Sequence, residues 1–253
     1  MIPLFYVSLH AEMKRFALIG RRLGHSYSQQ WFEGLFSQLG LHDHTYALHE
    51  MPSLAGLRQW VECNGICGFN VTVPYKQEII PYLDALDATA MAIGAVNCVT
   101  VEGNRLFGHN TDAGAFKQSL EHTGWDIHRA FVLGTGGAAR AVAYALRQMG
   151  IPCQYVSRTP RGDDQIGYEQ LSSCHSPSAT LLVNATPVGM YPDIDNSPVA
   201  DPDFPYVFDL TYNPSPTRLM RDASIHGAQV KDGLEMLHLQ AEMSWEFFRQ
   251  CEV

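Results

Sequence analysis

Phe131-Val-Leu-Gly-Thr-Gly-Gly-Ala-Ala-Arg140 is an apolar run that stops on glycines and resumes in helix-forming residues. Ala130 to Leu133 is short and apolar, the pattern of a strand buried on both faces. Gly134, Gly136 and Ala139 then fall at the spacing G-x-G-x-x-G/A. In such a turn the first glycine permits the tight bend, the second lets backbone approach a pyrophosphate, and the small third residue lets helix pack on strand. A helix is predicted over Ala138 to Met149, with Gly150 as its left-handed cap. Its N-terminus would turn unpaired N–H groups and the positive end of its dipole toward a phosphate. The spacing alone also fits a tight strand-helix turn without a ligand. The strand before it and the helix after it favour a dinucleotide-binding unit.

Downstream, Cys153 to Val156 reads as the second strand of that unit, and Ser157-Arg158-Thr159-Pro-Arg161 leaves its end. A site for NAD usually places Asp or Glu near this point, on the ribose 2′-hydroxyl. Here a serine and two arginines stand instead, and guanidinium groups suit a 2′-phosphate, so the expected cofactor is NADP. Thr180 to Asn184 and Tyr206 to Leu210 are further apolar strands. Asn184-Ala-Thr-Pro-Val-Gly-Met190 lies at a strand's carboxyl end, where parallel sheets place ligands. Tyr212-Asn-Pro-Ser-Pro-Thr217 leads into a helix. Gly233 opens a long amphipathic helix, Leu234 to Phe248, with Leu237, Ala241, Trp245 and Phe248 at helical spacing and Gln240 off that stripe.

Upstream of the glycine turn, Phe16 to Gly20 reads as a strand and Gly20 to Gly24 as the loop leaving it. Ser28 is the expected N-cap of a helix over Gln29 to Leu39, ended by Gly40. Alternatively Ser26 and Ser28 face a polar ligand from this loop. Thr45 to Leu48 is a strand, and Ser53 to Val61 a helix capped by Ser53. His42, His44 and His49 around that strand lack a third metal partner and are expected to be solvated. Phe69 to Val73 alternates as a strand should, and Pro74 ends its ladder. Lys76 then sits in the first turn of a helix, where a cation opposes the dipole by ~0.3 to 1 kcal/mol. A residue that costs stability where it stands points to a task; the plain alternative is a lysine turned to solvent. Asn97 follows in the next strand, placed to fix substrate hydroxyls or to satisfy backbone, and Glu102-Gly-Asn104 is a hairpin turn. Asp112 either caps a helix starting near Ala113 or partners Lys76.

The 253 residues allow two modest domains, and 46% hydrophobic and 17% charged residues describe a globular protein. No stretch reaches the ~18 to 20 apolar residues of a membrane helix. The first ten residues are apolar without a basic leader or a small-residue cleavage site, so residues 1–12 read as an extension before Met13 rather than a signal peptide. The six cysteines, Cys63, Cys67, Cys98, Cys153, Cys174 and Cys251, form no C-x-x-C pair, which disfavours zinc and a disulfide framework and favours a cytoplasmic setting. A net charge of -9 without a basic block excludes nucleic acid and anionic membrane as expected partners.

Taken together and in order, these motifs resemble the shikimate dehydrogenase family from about Met13 to Phe248. They are H-S-x-S at His25 to Ser28, N-V-T-x-P-x-K at Asn70 to Lys76 and G-A-V-N at Gly94 to Asn97. After these come an approximate N-T-D-x-x-G at Asn110 to about Gly114, G-x-G-G-A-A-R at Gly134 to Arg140, N-A-T-P-x-G-M at Asn184 to Met190 and G-L-x-M-L-x-x-Q-A at Gly233 to Ala241. The resemblance implies an α/β protein with an N-terminal substrate domain, residues 13–112 plus 237–253, and a Rossmann-type NADP domain, residues 113–236. The C-terminal helix returns to the substrate domain. It implies reversible NADPH-linked reduction of 3-dehydroshikimate to shikimate, in aromatic amino-acid biosynthesis, by a monomer or homodimer. Carried over by motif, Lys76 and Asp112 are the catalytic pair. Ser26, Ser28, Asn70, Thr72, Asn97, Tyr212 and Gln240 hold the substrate. Gly134, Thr135, Gly136, Gly137, Ala138, Ser157, Arg158, Thr159, Arg161, Thr186, Met190 and Gly233 hold the cofactor. No metal is implied.

Hydride arriving at a ketone carbon develops an alkoxide, which needs a proton or positive charge beside it, and Lys76 can supply either. A free lysine titrates near ~10.4, so desolvation would have to lower it for fast exchange at neutral pH, while Asp112 pulls the other way. Asp112 is therefore expected mainly to orient Lys76 and bind substrate. Gln29 stands where the family often has proline, and Ser157 where many members carry asparagine. The competing readings are a quinate- or NAD-using relative of the same fold and a catalytically inactive ligand-binding regulator. The latter would be expected to have lost Lys76 or Asp112, and both are present.

Overall fold

The computed structural model describes residues 13–24, 26–173 and 179–250; the expectations for residues 1–12, His25, Cys174 and Cys251 lie outside them. The first half runs β1 (Lys14–Gly20), α1 (Ser28–Leu39), β2 (His44–Glu50), α2 (Leu57–Asn64), β3 (Ile66–Val71), α3 (Tyr75–Glu78), β4 (Ala85–Leu86), α4 (Ala88–Ile93), β5 (Cys98–Glu102) and β6 (Arg105–His109). After α5 (Asp112–Glu121) come β7 (Arg129–Leu133), α6 (Gly137–Gln148), β8 (Cys153–Val156), β9 (Gln165–Ile166), α7 (Tyr168–Ser173) and β10 (Thr180–Asn184). The chain ends with β11 (Tyr206–Asp209), α8 (Arg218–Ile225), β12 (Gln229–Lys231) and α9 (Leu234–Gln250).

These strands form two sheets. The first has the order β2-β1-β3-β5-β6-β4, parallel across β2, β1 and β3 and antiparallel through the β5-β6 hairpin. The second has the order β12-β11-β10-β7-β8-β9 and is parallel throughout. Counted from β7, that order is 3-2-1-4-5-6, the doubly wound dinucleotide arrangement, whose ligand crevice lies where β7 and β10 diverge.

Period-two alternation puts helices on both faces of each sheet. In β1, Phe16 and Leu18 pack with α1 and α9, while Ala17 and Ile19 join the opposite core with α2. In β7, Ala130 and Val132 face α5 and α6, and Phe131 and Leu133 face α7 and α8. Helix α6 is buried at Ala139, Ala141, Val142, Ala143, Ala145 and Leu146. Small residues are required there because α6 lies against β7, β8, α4 and α5 together.

Helix α9 joins the two halves. Met236, Leu239 and Met243 pack into the core around α5 and α6. Ala241, Trp245 and Phe248 pack with Phe16 of the first sheet and Phe32 of α1. A fully buried phenylalanine contributes about 1.5 to 3 kcal/mol, so Phe248 alone holds this end firmly. Of the expected stripe, Ala241, Trp245 and Phe248 are buried, whereas Leu237 is only half-buried.

At its other end α9 is tied by Glu235, which accepts hydrogen bonds from Ser119 Oγ of α5 at 2.9 Å, from His122 Nδ1 just after α5 at 2.7 Å, and from Lys231 Nζ at 2.6 Å. The Lys231 ammonium foremost, with help from His122 and Ser119, holds its carboxyl down at about 2 against the opposing effect of burial. That lies below the 4.5 of a free glutamate, so the contribution is complete above about pH 4.5 and is lost as pH falls through about 2. Because the carboxylate is 37% exposed and screened, Glu235→Gln should cost only on the order of 1 kcal/mol at pH 7. Thermal melts across the acid range test this: the gap between variant and parent should narrow steadily below pH 4.5, and a constant gap would refute it.

Several local expectations are corrected. Helix α2 starts at Leu57 after Gly56 in the left-handed conformation, so Ser53 is not its cap. Ser28 is the first residue of α1 rather than its cap, and its N–H donates to Ser26 Oγ at 3.3 Å. His44 is not solvated: its side chain is 5% exposed, hydrogen-bonded to Asp43 and set among Phe16, Phe36 and Trp245. His49 stacks on Trp60. The short strands β4, β9 and β12 carry too few residues for a readable period.

Candidate active site

Lys76 and Asp112 meet where the first sheet faces α5 and α6. β3 ends at Val71, Thr72 N–H still donates to Ile19 C=O, and Tyr75 opens α3. Helix α3 has four residues, too few for a substantial dipole, so the expected cost of a cation there is small. What places Lys76 is its own backbone: its C=O accepts from Val96 N–H at 2.7 Å, joining it to the strand entrance that carries Asn97. Asp112 is the first residue of α5 and does not cap it. Asn110 Oδ1 takes the Ala113 N–H at 3.2 Å, which leaves the Asp112 carboxylate for the cleft.

Lys76 Nζ lies 2.6 Å from Asp112 Oδ2, with side chains 16% and 6% exposed. Asp112 Oδ1 accepts from Asn97 Nδ2 at 2.9 Å. Asp112 therefore takes one of the three ammonium hydrogens and orients the other two. Asn97 Nδ2 also reaches Thr111 Oγ1 at 2.8 Å and Gln240 Oε1 at 3.4 Å. Gln240, from α9, donates its own amide to Leu237 C=O. Lys76, Asn97, Asp112 and Gln240, drawn from α3, the β5 entrance, α5 and α9, are thus brought together.

The other expected substrate residues fall in different places. Asn70 is 5% exposed, with both amide hydrogens used: Nδ2 donates to Asn97 C=O and Ser244 Oγ, and Oδ1 accepts from Tyr46. It lies beneath the site. Thr72 is half-buried at the carboxyl end of β3. Ser26 and Ser28 stand in the loop before α1. Tyr212 spans the cleft from the second sheet: burial raises its phenol pKa, against a hydrogen bond from the backbone of Tyr27.

On the nucleotide side, Gly134 turns with φ +100°, and a Cβ there would stand 3.2 Å from Thr186 Cγ2, so the loops after β7 and β10 touch at the switch point. Thr186 is fixed by its hydroxyl to Asn184 Oδ1 at 2.7 Å, and Asn184 Nδ2 donates to Asp209 Oδ1 at 3.0 Å. Asp209 is wholly buried; burial raises its carboxyl pKa, opposed by bonds from Thr211, Thr217 and Asn184. It ties the β10 loop to the β11 loop carrying Tyr212, a role no motif signalled. Met190 is exposed beyond that loop. Gly233 is buried against the backbone of Leu210 and donates to Thr211 C=O.

Gly137 brings the first turn of α6 against the first half of the chain. A Cβ on it would stand 2.8 Å from Lys76 Cβ and 3.3 Å from Ala95 Cβ, so the first turn of α6 rests directly on the lysine. A Cβ on Gly136 would meet nothing within 4 Å, which leaves the helix N-terminus open to a phosphate. Thr135 is exposed and Ala138 half-buried in the same turn. After β8, Thr159 N–H donates to Ser157 Oγ and Arg161 N–H to Gln165 Oε1, and the Arg158 and Arg161 side chains are exposed. An open helix N-terminus beside two exposed guanidinium groups fits a dinucleotide with a 2′-phosphate. A cavity of about 280 Å³ borders Thr135, Arg140 and Tyr155, away from Lys76 and Asp112. Among the described residues no cluster of His, Cys, Asp or Glu is placed to hold a metal ion, and no helix is long and apolar enough to cross a membrane.

The family model for the shikimate dehydrogenase substrate binding domain matches residues 18–99. The NADP(+) shikimate dehydrogenase of Clostridium beijerinckii is 36% identical over 95% of this chain and 94% of its own length. Shikimate dehydrogenase 1 from Peptoclostridium difficile superposes with a TM-score of 0.87 at 35% identity, over 94% of this chain and 92% of that one. The Thermus thermophilus shikimate 5-dehydrogenase, solved with NADP(H) and shikimate, superposes with a TM-score of 0.84 at 35% identity, over 94% of each.

Proposed function

The chain belongs to the shikimate dehydrogenase family, and from that premise we propose how its residues divide the work. The protein is an NADP-dependent oxidoreductase that reversibly reduces 3-dehydroshikimate to shikimate. One observation carries the assignment of roles: the 2.6 Å pair of Lys76 and Asp112 lies against Gly137, the turn that receives the cofactor phosphates.

NADP, when bound, supplies or takes the hydride. Gly136, Gly137 and Ala138 would hold its pyrophosphate, Arg158 and Arg161 its 2′-phosphate, and Thr186, Met190 and Gly233 line the other end. Lys76 holds the proton that the substrate oxygen receives on reduction and takes it back on oxidation. Asp112 keeps the ammonium aimed and accepts a substrate hydroxyl. Gln240 Oε1 and Asn97 Nδ2 meet the ring hydroxyls, because the two Asn97 hydrogens face three acceptors and one can change partner when a ligand enters. Ser26, Ser28, Thr72 and Tyr212 close the substrate from the cleft mouth. Residues 13–112 with 237–253 form the substrate domain and 113–236 the cofactor domain. Among the described residues Cys63, Cys67, Cys98 and Cys153 form no disulfide, which supports a cytoplasmic setting; the assembly is a monomer or homodimer.

The test is initial rates of nicotinamide reduction with shikimate or quinate crossed against NADP or NAD. Shikimate with NADP should be the best pair; equal rates with quinate or NAD would overturn the specificity. Arg158→Ala should raise the KM for NADP by about 10- to 100-fold, the loss of a charge-assisted contact, and leave that for NAD nearly unchanged. Equal losses with both cofactors would remove Arg158 from the 2′-phosphate.

A further inference from the structure

Helix α9 contributes more to the site than Gln240. Ser244 is wholly buried one turn later, and its hydroxyl donates to Gln240 C=O at 2.8 Å. A serine has one hydroxyl hydrogen, so every other contact of Ser244 Oγ must be received. It accepts from Asn70 Nδ2 at 2.8 Å. At 3.3 Å from Thr111 Oγ1 it accepts again, which makes Thr111 the donor. Thr111 Oγ1 is then an acceptor toward Asn97 Nδ2 at 2.8 Å. The Thr111 N–H donates to Asn97 Oδ1 at 2.7 Å, which determines which end of the Asn97 amide is the NH₂. That NH₂ faces Asp112 Oδ1.

These contacts link Tyr46 through Asn70, Ser244 and Thr111 to Asn97 and Asp112, and the donor at each is settled. The far end is set because burial raises the Tyr46 phenol pKa well above its ordinary value, so Tyr46 donates to Asn70 Oδ1 at 2.8 Å. Thr111 is 2% exposed, and its backbone and hydroxyl grip both ends of the Asn97 amide.

We propose that Thr111 and Ser244 are positioning residues for the reaction: their hydroxyls form one network that locks the Asn97 amide and, through it, the Asp112 carboxylate that aims Lys76. This rests on the catalytic reading given above. Without the Thr111 hydroxyl, Asn97 NH₂ loses a buried acceptor and turns toward Gln240, loosening its grip on Asp112.

The test uses the full-length enzyme with Thr111→Val, Thr111→Ser, Ser244→Ala and the Thr111→Val/Ser244→Ala double variant, with kcat and both KM values measured. Thr111→Val should lower kcat about tenfold with the NADP KM unchanged, and Thr111→Ser should restore most of it. The double variant should lose no more than the worse single, because both changes cut one network. A Thr111→Val variant that melts earlier yet keeps kcat within about twofold overturns the positioning role while leaving the catalytic pair intact. Losses that multiply in the double variant also overturn it. No turnover by the parent enzyme overturns both the positioning role and the reading it rests on.

Discussion

Lys76→Ala should lower kcat by about 10²- to 10⁴-fold, the range for loss of a positioned proton donor. It should also lower stability, and the two effects have separable causes. The Asp112 side chain is only 6% exposed, and removing the ammonium leaves a buried carboxylate supported by the Asn97 amide. Breaking a buried ion pair from one side typically costs about 3 to 5 kcal/mol, and the partial exposure of Lys76 places this case near the lower end. The Lys76→Ala/Asp112→Asn double variant should recover most of the lost stability, because no uncompensated charge remains, while activity stays at the lower level. Thermal melts and initial rates on the same samples decide it. Recovery of activity with stability would mean that Lys76 serves the fold and not the reaction.

Gly233→Ala should be the most destabilising single methyl in the described chain. A Cβ at Gly233 would stand 2.1 Å from Leu210 O and 2.6 Å from Leu210 C, both backbone atoms that no rotamer change can move. The residue also donates to Thr211 C=O and accepts from Leu237 N–H, so both its backbone groups are committed and it cannot turn aside. A cost of about 3 kcal/mol follows from overpacking against a rigid neighbour. In a chain of this size that corresponds to roughly 6 to 12 °C in Tm. The strained place is the entry to α9, so Gln240 and Ser244 should shift with it. Shikimate KM should rise more than NADP KM. A Tm within about 2 °C of the parent would show that Leu210 and Gly233 can separate, contrary to this packing.

Period and punctuation were enough to locate β7, β8, β10 and β11 of the second sheet. β8 and β10 have the bounds their apolar runs predict, because a strand buried on both faces must be apolar without interruption. The glycine turn likewise announces itself, since Gly134 at φ +100° and the small Ala139 against the core are demands of backbone geometry. Motif order named the chemistry of Lys76, Asp112, Asn97 and Gln240. What local sequence could not carry was direction. Asp112 reads equally as a cap or as a partner of Lys76, and only the placement of Asn110 on the Ala113 N–H releases it for the cleft. Asn70 reads as a ligand because it stands in the N-V-T-x-P-x-K motif, yet Ser244, 174 residues away, and the Asn97 carbonyl take both its amide hydrogens, and Tyr46, 24 residues away, donates to its oxygen. Ser244 carries no signal, and Thr111 none beyond its place in the N-T-D motif, because a buried hydroxyl is defined by the partners that packing brings to it. Sequence by itself thus determined the two α/β units, the cofactor turn and the residue types of the site. Tertiary structure alone decided which of those polar groups are open to the cleft and which are committed to one another, because each has only as many hydrogens and lone pairs as its chemistry allows, and the fold determines who receives them.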